Sequence, residues 1–358
     1  MRLFVATSGH GLGHLSQVAP LVNALHHRRP DLTVIVQSTA PIGQIRERIP
    51  ACRHTVPVAP DLGMLMDGPL SVRRQATFEA YRTLHERWDE ALEFQCELLR
   101  TRRASLVIGD VPYLPLAAAA SLDIPAFGVC SLNWAGLFRH YCGALGKETA
   151  RRIEQQIVTA YDQGRAFLRC APAMPMEELH AVRDIGPLVA PVESRRAELA
   201  AALGADGNDR IILVSPGGVN WRDRPRRWPD LAGVHWLMPR GWEDLGPRCH
   251  RSWALPFDFQ TLVASVDALI AKPGYGLFTE AAQAGVPILT PPRGDWPEEP
   301  ALMTWFRQHC PLEIVHPDAL MAGDISQPLT TLLASGRGRG FVADGAHQGA
   351  EIILTTSN

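Results

Sequence analysis

The chain has 358 residues, 46% of them hydrophobic and 20% charged, a composition that excludes a disordered or fibrous protein and at about 150 residues per domain suggests two packed domains. Thirty-five Lys and Arg against 37 Asp and Glu leave a formal charge of -2, so nothing electrostatic points to a nucleic-acid partner. The seven cysteines form no C-x-x-C pair or Cys/His metal spacing, and no stretch approaches the roughly 18 to 20 apolar residues of a membrane span; reduced, buried thiols in a cytoplasmic protein, with any membrane contact peripheral, are expected.

The first apolar run, 3–7 (LFVAT), has the length of a buried strand and leads straight into glycines, unlike a signal peptide. Val18, Leu21, Val22 and Leu25 then fall at i, i+3, i+4 and i+7, which marks one buried face of a helix running to about His27. Runs at 33–37, 105–109 and 126–130 complete a first series of buried parallel strands with helices between them. A long helical stretch is expected from Lys147 to Leu168. Prolines then punctuate residues 171–193 and set a domain boundary. A second series follows at 211–215, 234–238, 267–271 and 287–291. The fold class expected is α/β, with two Rossmann-like doubly wound parallel-sheet domains facing across a cleft: residues 1–185, residues 186–340, and a terminal helix over 341–358 packing back on the first domain. In such sheets ligands bind at the carboxyl ends of the strands.

The loop after the first strand, Ser8-Gly9-His10-Gly11-Leu12-Gly13-His14, has three glycines in five residues, which permits a tight turn and close backbone approach to a ligand. Its G-x-G-x-G spacing is not the dinucleotide fingerprint, and no G-K-[ST] follows. Two histidines at a helix mouth are either structural hydrogen-bonders or, near neutral pH, proton acceptors. A catalytic imidazole needs a carboxylate to orient it. Asp110 directly follows the run SLVIG and either fills that role or is a turn aspartate before Pro112. Asp123 reads as a turn residue.

In the second half, Ser215-Pro216-Gly217-Gly218 reads equally as a plain turn or as backbone N–H groups offered to a ligand. Lys272-Pro273-Gly274-Tyr275-Gly276 lies between a strand and a helix, where N–H groups and about half a positive charge gather and a diphosphate is stabilised. Glu280 either reaches the hydroxyls of an attached ribose or is simply an acidic residue early in that helix. Glu298 and Glu299, between prolines, either accept from sugar hydroxyls or form the acidic start of the next helix. The basic run Arg222–Arg227 reads as a solvated loop or an anionic contact.

Taken in order, TSGHGLGH (7–14), GDVPYLPLAAAASLDIPAFGVCSLNW (109–134), SPGGVNW (215–221), KPGYGLFTEAAQAGVP (272–287) and DWPEEPAL (295–302) resemble the GT-B glycosyltransferases, in particular the MurG-like group that includes the glycosyltransferase-like N-terminal half of plant L-arabinokinases. The resemblance covers nearly the whole chain. It implies an inverting transfer in which His14 is the base and Asp110 orients it. Gly11 and Gly13 line the same loop. The resemblance also implies that Gly217, Gly218, Lys272, Gly274, Tyr275, Gly276, Glu280, Glu298 and Glu299 hold a nucleotide diphosphate sugar. A UDP-sugar donor and a hydroxyl acceptor are therefore the expected partners, with no metal or other cofactor required. The donor-binding signature of plant secondary-metabolite members is lacking, and the sugar-kinase half of the arabinokinases has no counterpart, so arabinose phosphorylation is not expected. Asn133 and Trp134 either face the acceptor or line the core. The alternatives to a transferase are a UDP-sugar 2-epimerase-like enzyme and a non-catalytic nucleotide-sugar-binding protein.

Overall fold

The computed structural model describes residues 1–9, 12–68, 71–216, 224–225 and 227–357. The chain forms two compact units, Met1–Val189 with Asp344–Asn358, and Ala190–Ala343. The divisions thus fall a few residues beyond the 185/186 and 340/341 expected from the prolines and the glycine-rich tract.

In the first unit the order is β1 (Arg2–Thr7), α1 (Gly13–Arg28), β2 (Thr33–Gln37), α2 (Ile42–Arg48), β3 (Cys52–Val56), the short pair β4 (Met66–Asp67) and β5 (Ser71–Val72), α3 (Arg74–Glu86), α4 (Trp88–Arg102), β6 (Leu106–Asp110), α5 (Leu114–Ser121), β7 (Ala126–Cys130), α6 (Trp134–Cys142), α7 (Lys147–Asp162), β8 (Ala166–Cys170) and β9 (Val182–Ile185). Among the described residues a seven-stranded parallel sheet runs β3-β2-β1-β6-β7-β8-β9. The strands are near-continuous apolar runs because both faces are covered, as parallel sheets require. Leu3, Phe4, Val5, Leu106, Val107 and Ile108 are fully buried. The helix expected from 147 to 168 is shorter: α7 ends at Asp162, and Gln163-Gly164 turns the chain so that Ala166–Cys170 pairs with β7 as a strand. Ala166, Phe167 and Leu168 form a short apolar run that suits a buried helix end or a buried strand equally, and pairing with β7 decided the state. Asp123 takes a left-handed turn conformation, φ +53°.

The second unit holds α8 (Arg196–Leu203), β10 (Arg210–Ser215), β11 (Val234–Met238), β12 (Cys249–Arg251), α9 (Phe259–Ser265), β13 (Ala268–Ala271), α10 (Tyr275–Ala284), β14 (Ile288–Thr290), α11 (Glu299–His309), β15 (Leu312–Ile314), α12 (Pro317–Ala322) and α13 (Ser326–Ala334). Its parallel sheet runs β12-β11-β10-β13-β14-β15. Successive side chains of β10 enter opposite layers: Ile211 and Leu213 pack with Phe278 and Phe306, whereas Ile212 and Val214 pack with Trp228 and Trp236. The chain then returns to the first unit as α14 (Gly345–Thr356), which packs on α1 and β9. A Cβ on Gly349 would lie 2.9 Å from Leu21, so glycine there sets how closely the two helices approach.

In each unit the strand order reverses beside its first strand, between β1 and β6 and between β10 and β13. Ligands of open α/β sheets bind outside the carboxyl ends at such switch points. No disulfide is formed, and six of the seven cysteines are buried. No helix among the described residues is long and apolar enough to cross a membrane.

Candidate functional site

Thr7, the last residue of β1, pairs with Asp110, the last of β6, and the Ser8 amide donates to the Asp110 carbonyl at 2.9 Å. Parallel register therefore fixes the start of the glycine loop beside Asp110. Gly109 is needed for the turn that follows, since a Cβ there would lie 2.6 Å from the Pro112 carbonyl oxygen. His14 is the second residue of α1, and its Nδ1 lies 2.9 Å from Asp110 Oδ1. The Asp110 side chain is fully buried and that of His14 is 12% exposed. A buried carboxylate is costly unless hydrogen-bonded, and donation from Nδ1–H serves its Oδ1. In that tautomer the basic lone pair sits on Nε2.

The same strand ends add groups that sequence reasoning missed. Cys130 closes β7; its Sγ donates to Gln17 Oε1 at 3.0 Å and lies 3.8 Å from His14 Nδ1. Gln17, one turn beyond His14, donates to Ser131 Oγ at 2.9 Å. The ligand atoms of His14, Asp110 and Cys130 lie within 4.8 Å of one another, a set chemically able to hold a soft divalent ion although no local spacing announces it. Asp61, in the connection after β3, accepts from Ser8 Oγ at 3.1 Å and from the Trp134 indole N–H at 2.6 Å. Burial pushes the Asp61 carboxyl up, with the Trp134 hydrogen bond and the His14 charge opposing it. Trp134 is buried and lies edge-on to His14, with ring centroids 6.0 Å apart. Asn133 is buried too and caps α6, accepting from the Gly136 amide at 2.8 Å. Of the two readings for this pair, wall rather than open contact surface is the one observed.

In the second unit Ser215 pairs with Ala271, which brings Pro216 and Lys272 to the same switch point, with Val214, Trp242 and Pro291 around them. Burial, reinforced by Arg293, lowers Lys272 to about 8. Gly274 is the N-cap of α10; it has no side chain to occupy the first amides, and a Cβ there would meet nothing within 4 Å. Tyr275 and Gly276 open the helix. Glu280 lies farther along α10 than one turn and accepts from Gln260 Nε2 at 3.0 Å. Glu298 and Glu299 are buried. Glu299 receives the Arg293 amide at 2.8 Å and Glu298 the Trp296 indole N–H at 3.2 Å, so both carboxylates organise the 293–299 loop and start α11. Arg293, also missed in the sequence, stacks over Trp296 at 3.7 Å.

Gly13 is the first residue of α1. His10, Gly11, Gly217 and Gly218 lie outside the described residues, as do Arg222 and Arg226 of the basic run. Arg224 pairs with Asp244 at 2.8 Å and Arg227 donates to the Ala322 carbonyl at 2.8 Å, which ties these two down as surface structure.

No protein-family profile matches the chain. It is 28% identical over 327 residues to L-arabinokinase of Arabidopsis thaliana, covering 88% of this chain and 30% of that protein; the chain thus spans about a third of the relative's length. Among solved structures it is similar to the glycosyltransferase SnogD of Streptomyces nogalater, with a TM-score of 0.60 at 17% identity over all of both chains. The glycosyltransferase VinC in complex with dTDP gives 0.56 at 16% identity over 100% of this chain and 95% of that one. MurG of Acinetobacter baumannii gives 0.53 at 13% identity over 99% of each. The chain has the GT-B glycosyltransferase fold and is distantly related to plant L-arabinokinase over most of its length.

Proposed function

We propose that the protein is a metal-independent, inverting glycosyltransferase that moves a sugar from a nucleotide diphosphate donor, a UDP-sugar, to an acceptor hydroxyl. The observation that carries this reading is the His14–Asp110 hydrogen bond at the β1/β6 switch point of a GT-B chain. His14 Nε2 takes the proton of the acceptor hydroxyl. The acceptor oxygen then bonds to the anomeric carbon as the bond from that carbon to the diphosphate oxygen breaks. Asp110 holds the ring in the required tautomer and steadies the imidazolium that forms, a role for which buried carboxylates suit.

The leaving diphosphate carries the charge that develops, and preorganised donors are the largest stabilising influence at such positions. Gly274, Tyr275 and Gly276 supply helix-start amides, and Lys272 supplies a cation. Glu280 accepts from the ribose while held by Gln260, and Glu298 and Glu299 meet the sugar. Gly11, Gly13, Gly217 and Gly218 belong to the same reading as backbone contacts.

A thermal-shift screen against UDP-, GDP- and dTDP-sugars tests it, because a ligand at 100 times its Kd stabilises by about 2.7 kcal/mol. Stabilisation by a UDP-sugar is expected, and no response to any nucleotide sugar overturns the reading. Asp61 gives one reason to keep the epimerase alternative, since it adds a second carboxylate beside His14. Conversion of UDP-GlcNAc to an epimer with no acceptor present would replace the transferase reading by that one.

A further inference from the structure

Asp61 has no part in the chemistry above, yet it is built into the same strand-end cluster. Its two carboxylate oxygens are each gripped by a donor from a different element: Ser8 Oγ from the loop after β1 on Oδ1, and the Trp134 indole N–H from the start of α6 on Oδ2. Both donors are buried, whereas Asp61 itself is only half-buried. An ionised carboxylate has about four lone-pair sites, and two fixed donors leave the others for a partner arriving from the exposed side. Trp134 also packs edge-on to His14, so one rigid side chain sets the positions of both the imidazole and this carboxylate.

We propose that Asp61 is a specificity-determining residue that accepts a hydrogen bond from a second hydroxyl of the acceptor, which makes the acceptor a sugar or polyol rather than a phenol or a simple alcohol. The inference rests on the transferase reading and deepens it. A carboxylate offers no hydrogen of its own, so it selects for donors, and adjacent hydroxyls are the chemistry that places a donor beside the reacting oxygen. A molecule with one hydroxyl would leave the carboxylate desolvated without compensation, which is the strongest form of discrimination a polar site achieves. Burial already disfavours the ionised form in the absence of ligand, and an incoming hydroxyl relieves that cost.

The test measures binding and transfer separately. Saturation-transfer NMR with methyl glycosides of pentoses and hexoses, their monodeoxy analogues, cyclohexanol and 4-nitrophenol is run on the wild type, on Asp61→Asn and on Trp134→Phe. UDP binding by thermal shift is followed in parallel. The expected result is that one glycoside binds the wild type. Asp61→Asn and deletion of one hydroxyl each weaken that binding by roughly tenfold to a hundredfold, the range of a hydrogen bond to a charged group. Trp134→Phe weakens it less, and UDP binding does not change in any variant. Where transfer is detected, Asp61→Asn raises the acceptor KM with the donor KM unmoved. Glycoside binding absent from the wild type, or equal in Asp61→Asn, overturns the inference while UDP binding persists. Loss of nucleotide binding in the wild type is instead the failure of the transferase reading.

Discussion

Asp110 Oδ1 and His14 Nδ1 stand 2.9 Å apart across 96 residues of sequence, joined because β1 and β6 are parallel neighbours that end at the same level. If Asp110 serves to fix the imidazole tautomer, Asp110→Asn should keep the fold and donor affinity but lower kcat. A fall of about 10⁴-fold has followed the equivalent change in a serine-protease triad. An Asn variant as active as wild type in steady-state transfer assays would show that the hydrogen bond is structural only.

Lys272 offers a charge whose state is sensitive to pH in the neutral to mildly basic range. Burial lowers it to about 8, so the cation is present below that value and lost above it. A bound diphosphate favours the protonated amine. Donor affinity measured by calorimetry should therefore fall as pH rises through about 8, with proton uptake on binding near that pH. Lys272→Met should abolish this slope and weaken UDP binding at neutral pH by about tenfold or more. An unchanged slope in Lys272→Met would remove the lysine from the donor site.

His85 sets an acid limit on the stability of the first unit. Its Nδ1 faces Gln156 Oε1 at 2.8 Å and its Nε2 faces Tyr113 Oη at 2.9 Å, between the rings of Tyr81 and Trp88. This satisfies the neutral ring, and burial lowers its pKa to about 4. The folded value lies below the unfolded value near 6.5, so the stability contributed is complete above about 6.5 and is lost as pH falls toward 4. Tm should decline through that window, and less steeply in His85→Gln. Equal slopes for the two proteins would contradict this account.

Asp61 has the opposite sign. Its carboxyl is raised above the ordinary value of 3.8, so the fold favours the protonated form, and stability is lost as pH rises through the raised value. Asp61→Asn should therefore raise Tm at about pH 8 and have little effect near about pH 3, where both side chains are neutral. A destabilised variant at pH 8 would mean that the bonds to Ser8 and Trp134 outweigh the burial of charge.

The cluster of His14, Asp110 and Cys130 gives a further check on the metal-independent reading. Chelation with EDTA should leave transfer unchanged, whereas added zinc should inhibit by tying up His14. Cys130→Ser should reduce that inhibition. Loss of turnover on chelation, restored by a divalent ion, would contradict the proposal.

Much of this arrangement was legible in the chain. The apolar runs located β1, β2, β6 and β7 because parallel strands buried on both faces carry a continuous signal, and the glycine loop and Asp110 were visible as strand-end residues. Strands β8 and β9 were not, since their pairing depends on neighbours far away in sequence, and Ala166–Cys170 reads as easily as the tail of a helix. Asp61, Gln17 and Cys130 were missed for a related reason. Asp61 sits in an irregular connection with no periodicity, Gln17 appears as an ordinary polar position on α1, and Cys130 as the end of a buried strand. Gln17 stands one turn from His14 on α1, whereas strand order and register bring Cys130 to the imidazole and the connection after β3 brings Asp61 beside it. Glu298 and Glu299 stood out as adjacent carboxylates between prolines, but their hydrogen bonds to Trp296 and Arg293 come from loop closure, which residue spacing does not encode.

Replacement of the proposed base, His14→Ala, separates chemistry from binding. Turnover and donor affinity are measured on the same preparation, with the sugar nucleotide that the thermal-shift screen selects. General-base action contributes roughly 10² to 10⁴-fold, so kcat should fall by about that much while UDP affinity stays within a few-fold of wild type. Unchanged turnover in His14→Ala would contradict its role as the base.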